Sequence, residues 1–68
     1  MMRDKDHLIR VFLVDGPQNA FLRYRKLGHA REDWKADRPL LNQMIKEGSV
    51  QIVQQDRVSI TYKYTPHA

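Results

Sequence analysis

The chain contains no cysteine and only three glycines. Disulfide bonds, thiolate metal sites and cysteine nucleophiles are therefore excluded, and no glycine-rich phosphate-binding loop is present. The longest apolar run, residues 11–14, falls far short of the ~20 residues that span a bilayer. The first six residues are too acidic for a secretion signal. We expect a cytoplasmic protein that makes no contact with a membrane.

The sequence offers little material for catalysis. Its 68 residues predict a single domain, 1–68, with an ordered core from about 6 to 65. A chain this short buries only about 60% of its unfolded surface, which leaves little room for a deep pocket beside the core. His7 lies near two aspartates and His29 precedes Asp33 by four residues, but neither pair has the third ligand that a zinc site needs. We expect no enzymatic activity, no cofactor and no metal ion.

The excess of basic residues is the first feature of the sequence that points to a partner. The chain has 12 Lys+Arg against 8 Asp+Glu, which gives a formal net charge of +4. A basic domain attracts phosphate, either in nucleic acid or at an anionic surface. Six of the basic residues fall between positions 23 and 38, where only three acidic residues oppose them. This clustering favours a nucleic acid as the partner.

The spacing of apolar residues predicts two helices in the first half of the chain. The first covers residues 6–15, with Asp6 as its cap and a stop at Asp15-Gly16-Pro17. The second covers residues 18–27 and ends at Gly28. Its apolar residues recur at spacings of three and four; they are Ala20, Phe21, Tyr24 and Leu27.

A third helix is predicted over residues 30–47, with two distinct faces. Trp34 shares an apolar face with Leu41 and Ile45 and is interpreted as a core anchor. A basic stripe runs along another face at spacings of four, three, four and four; it consists of Arg31, Lys35, Arg38, Asn42 and Lys46. Pro39 disfavours helix at Arg38, so we expect a kink or a break there, with Asp37 capping a second helix.

From Ser49 onward the apolar period changes to two. Val50 and Ile52 alternate with glutamines, and Val58, Ile60 and Tyr62 alternate with polar residues. Two strands joined at residues 54–57 predict a hairpin near residues 49–64.

The order helix, helix, helix, hairpin resembles the winged helix-turn-helix domains of bacterial and phage-type transcription regulators. Three segments between residues 8 and 65 carry the resemblance. Residues 16–28, GPQNAFLRYRKLG, look like the turn into the second helix, closed by Leu-Gly. Residues 40–50, LLNQMIKEGSV, look like the end of a recognition helix that runs into the wing. Residues 58–65, VSITYKYT, look like the returning wing strand.

The resemblance implies an α+β fold of three helices with a C-terminal β-hairpin wing. It also implies a small transcriptional regulator that binds double-stranded DNA with full or partial sequence specificity. In such domains the third helix lies in the major groove and the wing contacts flanking DNA. Arginine and lysine neutralise phosphates, while arginine and asparagine read base edges. The residues predicted to contact DNA are Arg23, Arg25, Lys26, His29, Arg31, Lys35, Arg38, Asn42, Lys46, Gln55 and Arg57.

Two further expectations accompany the winged-helix interpretation. A homodimer would use the first helix or the N-terminal segment, because duplex operators are commonly read by two-fold dimers. The expected buried residues are Leu8, Phe12, Phe21, Tyr24, Leu27, Leu41, Ile45, Val50, Ile52, Ile60 and Tyr62.

In an alternative fold, the first two apolar segments are strands rather than helices. Residues 8–14 and 20–27 would then pair across the turn at residues 15–18, which gives a ββαββ domain. The β-branched residues of the first segment favour this alternative. It predicts a small protein-interaction or inhibitory module that binds a host or other partner protein through a sheet edge or helix face.

Overall fold

The computed structural model describes residues 4–66. Its elements are helix α1 (Lys5–Phe12), a short 3-10 turn (Pro17–Asn19), strand β1 (Phe21–Arg25), helix α2 (Arg31–Glu47), and strands β2 (Val50–Gln55) and β3 (Ser59–Tyr64). The three strands form one antiparallel sheet in the order β1-β3-β2. Neither α1 nor α2 has the length and apolar content that crossing a membrane requires.

The winged-helix prediction is wrong, because the described chain has two α-helices rather than three. The predicted hairpin exists, but it is not a separate wing. Its second strand, β3, is the central strand of the sheet and pairs with β1 as well as with β2. The ββαββ alternative is also wrong as a whole, because residues 5–12 are helical, but its strand over residues 20–27 is confirmed by β1. The observed order is αβαββ.

Residues 21–25 form a strand where the helical spacing had predicted a helix over 18–27. Leu22 and Tyr24 pack against the core, while Phe21 and Leu27 are 46% and 56% exposed. The apolar residues of this segment therefore do not share one buried face, and burial alternates with a period of two. Backbone hydrogen bonds to β3, distant in the sequence, fix the extended conformation.

Helix α1 is confirmed as a helix, with shifted ends. Asp4, rather than Asp6, caps it, because the Asp4 carboxylate accepts a hydrogen bond of 2.8 Å from the His7 backbone N–H. The helix ends at Phe12 rather than at residue 15. Leu8 and Phe12, one turn apart, point into the core, and the Phe12 ring stacks on Tyr64 at 5.5 Å between centroids.

Helix α2 continues through Pro39, so the predicted break is wrong. Contacts on both sides of Pro39 hold the helix to the sheet. On the N-terminal side, Trp34 Nε1 donates to Tyr62 Oη at 3.0 Å; on the C-terminal side, Leu41 and Met44 are fully buried. Pro39 itself is exposed, so the helix loses one hydrogen bond without a clash in the core.

Asp37 has a different role from the predicted helix cap. It lies inside α2 and is buried, and its carboxyl Oδ2 accepts a hydrogen bond of 2.9 Å from Tyr24 Oη. This bond ties α2 to β1 across the core face of the sheet.

The core prediction is confirmed for six of the expected residues. Leu8, Phe12, Leu41, Val50, Ile60 and Tyr62 are buried. Tyr24 and Ile45 are partly buried and pack against this cluster. Phe21, Leu27 and Ile52 are exposed, which is contrary to the prediction. Phe21 faces away from the helices, Leu27 follows the end of β1, and Ile52 lies on the outer strand β2.

Candidate nucleic-acid interface

The first half of α2 and Lys26, the residue that follows β1, line a basic cleft with a volume of about 290 Å³. We call it the Trp34 cleft. It is lined by Lys26, Arg31, Trp34, Lys35, Arg38 and Pro39. Gly28, with a φ of 72°, turns the chain from β1 toward α2, and its carbonyl accepts a hydrogen bond from the Arg31 backbone N–H. Four of the lining side chains are cations and none is a carboxylate, so the cleft suits an anion.

Trp34 is held in a fixed orientation at the centre of this cleft. Its indole N–H donates a hydrogen bond to the hydroxyl of the buried Tyr62. One side of the half-buried ring therefore packs against the core. The Lys26 ammonium lies 5.9 Å from the ring centroid and the Arg38 guanidinium carbon lies 5.1 Å from it. Cation–π attraction at these distances keeps positive charge beside the ring.

The β2–β3 turn adjoins the Trp34 cleft through Lys26. The Lys26 ammonium donates to the Asp56 carbonyl at 2.9 Å and to Gln55 Oε1 at 3.5 Å. The Asp56 carboxylate in turn accepts hydrogen bonds of 2.8 Å from the backbone N–H groups of Val58 and Ser59, and these bonds lower its pKa. The end of β2 at Gln55 and the turn that carries Arg57 are therefore fixed next to the cleft.

The basic stripe of α2 continues outward from the cleft. Arg31, Lys35 and Arg38 line the cleft, and Asn42 and Lys46 follow on the next turns. All five side chains are exposed. At about 1.5 Å per residue, the stripe extends for about 22 Å along the helix.

The structure separates two predicted residues from the rest. Arg23 and Arg25 lie on β1 and pair in register with Thr61 and Ser59, on the side of the sheet opposite the residues that pack on the helices. His29 lies exposed in the turn before α2. Lys63 was missed by the sequence-based prediction, although it is opposite Phe21 and on the same side as the two arginines. Its position could be found only once residues 21–25 were known to form a strand.

Residues 4–66 contain no group of three histidine, aspartate or glutamate side chains that could hold a metal ion. No protein-family model, curated protein or solved structure matches the chain.

Proposed function

We propose that the protein binds double-stranded DNA through the Trp34 cleft and the basic stripe of α2. The observation that carries the proposal is the composition of the cleft, in which four cations surround one tryptophan and no carboxylate opposes them. Such a site offers several phosphate contacts at once, and phosphate contacts supply most of the affinity for a nucleic acid duplex.

The shape of α2 favours a duplex as the ligand. An α-helix with its side chains is about 10–12 Å wide, and the major groove of B-DNA is about 12 Å wide. Because the sheet covers the buried side of α2, the exposed basic side is the part that meets DNA. Lys35 and Lys46 are suited to phosphates, whereas Arg38 and Asn42 carry the groups that read base edges. Arg57, in the adjoining turn, is the proposed contact to the flanking DNA backbone.

A matched pair of double variants tests this proposal. Lys35→Gln with Arg38→Gln neutralises the α2 surface, and Arg23→Gln with Arg25→Gln removes the same charge from the other side of the sheet. Each lowers the formal net charge from +4 to +2, since two unit charges are removed. Fluorescence anisotropy of a labelled random-sequence duplex, measured over a range of salt concentrations, reports affinity and its salt dependence.

The α2 variant is expected to bind duplex more weakly, with a salt slope lowered by about one, because the Lys35 phosphate contact and the Arg38 base-edge contact are both lost. The Arg23/Arg25 variant is expected to retain the wild-type slope for duplex. Circular dichroism melting confirms that both variants are folded. Wild-type duplex binding by a folded α2 variant would overturn the proposal.

Strand β2 favours a second candidate function, binding of a protein. It forms one edge of the sheet and carries no charged residue, and Ile52 and Val53 on it are both 45% exposed. An edge of this kind can accept an added strand from a partner. Such a complex would tolerate salt and would be weakened by Val53→Lys. The same substitution would not weaken duplex binding.

A further inference from the structure

One side of the sheet is left uncovered by the two helices. Cross-strand partners share a side, so the register places Phe21, Arg23 and Arg25 of β1 with Lys63, Thr61 and Ser59 of β3. On β2, Gln51 and Gln54 oppose Lys63 and Thr61 and complete this surface, which we call the open face. Hydrogen bonds from the Ser59 and Thr61 hydroxyls to Gln54 Oε1 confirm that these three side chains are neighbours.

The two helices both pack on the other side. Phe12 of α1 stacks on Tyr64, and Asp37 and Trp34 of α2 bond to Tyr24 and Tyr62. These tyrosines occupy the positions that alternate with the open-face residues. Within residues 4–66, therefore, no helix covers the open face.

The charged strand residues of the open face are all cationic. The three strands contain three charged residues, and all of them, Arg23, Arg25 and Lys63, lie on this face. One carboxylate borders this face: Asp56, in the β2–β3 turn, accepts hydrogen bonds from the Gln54 side-chain amide at 2.9 Å and the Ser59 hydroxyl at 3.3 Å, as well as from the backbone. With three cations on the strands and Asp56 at one end, the face keeps a net positive charge and is complementary to a polyanion.

We infer that the open face binds a single strand of nucleic acid. Arg23 and Arg25 are two residues apart on one strand, about 6.7 Å, so each can meet a different phosphate along an extended backbone. Phe21 is 46% exposed at the end of the same row and offers its ring to an unpaired base. Bases inside a duplex are stacked on each other and cannot use this ring, which is why the face favours a single strand.

Lys63 and Gln51 complete the surface. The Lys63 ammonium lies 5.9 Å from the Phe21 ring centroid. A base stacked on Phe21 would therefore bring its phosphate within reach of Lys63. The exposed Gln51 side chain lies opposite Lys63 on β2 and offers an amide to base edges. This inference uses none of the residues on which the duplex proposal rests.

Labelled oligo-dT and a blunt duplex of equal length, each titrated with both double variants, test the inference. The Arg23/Arg25 variant is expected to bind oligo-dT more weakly, with a salt slope reduced by about one to two, and to bind duplex normally. The Lys35/Arg38 variant is expected to show the opposite pattern. The duplex proposal and the single-strand inference can therefore be overturned independently of each other.

Phe21 provides a test that is independent of charge. Phe21→Ala is expected to weaken oligo-dT binding about 5- to 150-fold, the range for loss of one base–aromatic stack, while Phe21→Tyr retains it. The inference is overturned if the wild type does not bind oligo-dT, or if both open-face variants bind it normally. Equal loss of oligo-dT binding in the α2 variant would also overturn it, because the single strand would then occupy the α2 surface.

Discussion

Asp37 is an acidic residue at the centre of a small core, where it is 1% exposed. A buried carboxyl group is costly unless hydrogen bonds replace its contacts with water. Tyr24 supplies one such bond from the neighbouring strand, at 2.9 Å. The pair therefore acts as a polar link between β1 and α2, and its contribution to stability can be measured.

Tyr24→Phe is expected to lower the free energy of unfolding by about 1–3 kcal/mol, because the buried carboxyl group of Asp37 loses a donor while the ring volume is kept. Tyr64→Phe is the matched control, since the Tyr64 ring stacks on Phe12 and that contact survives. Urea denaturation followed by circular dichroism measures both. Equal stability of the two variants would contradict a stabilising role for the Tyr24 hydroxyl.

Asp56 makes stability depend on pH. Backbone hydrogen bonds from Val58 and Ser59 lower its pKa in the folded state. Its ionised form therefore stabilises the fold above the usual aspartate pKa near 3.9, and this contribution is lost as pH falls through the lowered pKa. We expect the stability difference between wild type and Asp56→Asn to be constant above about pH 5 and to shrink under stronger acid. A difference independent of pH from 7 to 2 would contradict this.

At the scale of elements, α1, α2 and the hairpin could be predicted from the sequence, because each shows its own local periodicity. Strand β1 was anticipated only by the alternative fold, which made residues 20–27 a strand. Its five residues pair only with β3, far along the chain, and the chance helical spacing of Ala20, Phe21, Tyr24 and Leu27 concealed an alternation of two. The error mattered for the candidate site, since it placed Arg23 and Arg25 with the α2 stripe and left out Lys63.

The sequence predicted a kink or a break at Pro39, yet α2 continues through it as one helix. Tertiary contacts at Trp34 and Leu41 outweigh the local cost of one lost hydrogen bond. Pro39→Ala is therefore expected to raise the free energy of unfolding by about 1–3 kcal/mol, after allowing for the greater freedom of the unfolded chain.

Gln43→Ala, at another exposed position of α2, is the control for this change and should shift stability by less than about 0.5 kcal/mol. Thermal melting compares the two variants with wild type. A destabilised Pro39→Ala variant would indicate that the proline shapes the helix rather than merely being tolerated by it.

At the scale of the whole molecule, the sheet separates two cationic surfaces, the Trp34 cleft with its stripe on one side and the open face on the other. Eight of the 12 Lys+Arg residues lie on these two surfaces, so positive charge is presented to ligands from two directions. The N-terminal segment, which the homodimer prediction invoked, includes residues 1–3, which lie outside the described residues. Self-association therefore stays a prediction, to be measured by sedimentation of the free protein.

The effect of charge on duplex binding should depend on where the charge lies. Lys35→Ala is expected to weaken binding to all duplex sequences alike and to lower the salt slope by about one, because it removes one phosphate contact. Arg10→Ala, on the exposed side of α1, removes the same charge and should leave the slope unchanged. Equal slopes for the two variants would show that only net charge matters.

The central position of β3 also governs how the chain can fold during synthesis. Both strand pairings of the sheet include β3, and β3 is the last of the three strands to leave the ribosome. Until it emerges, β1 and β2 have no partner, and the uncharged segment VQIVQQ is exposed along both of its edges. Such a segment is prone to aggregate until β3 has been synthesised and can pair with it. A chain shortened before Ser59 would keep that hazard permanently, because it retains every element of the fold except the strand that joins them.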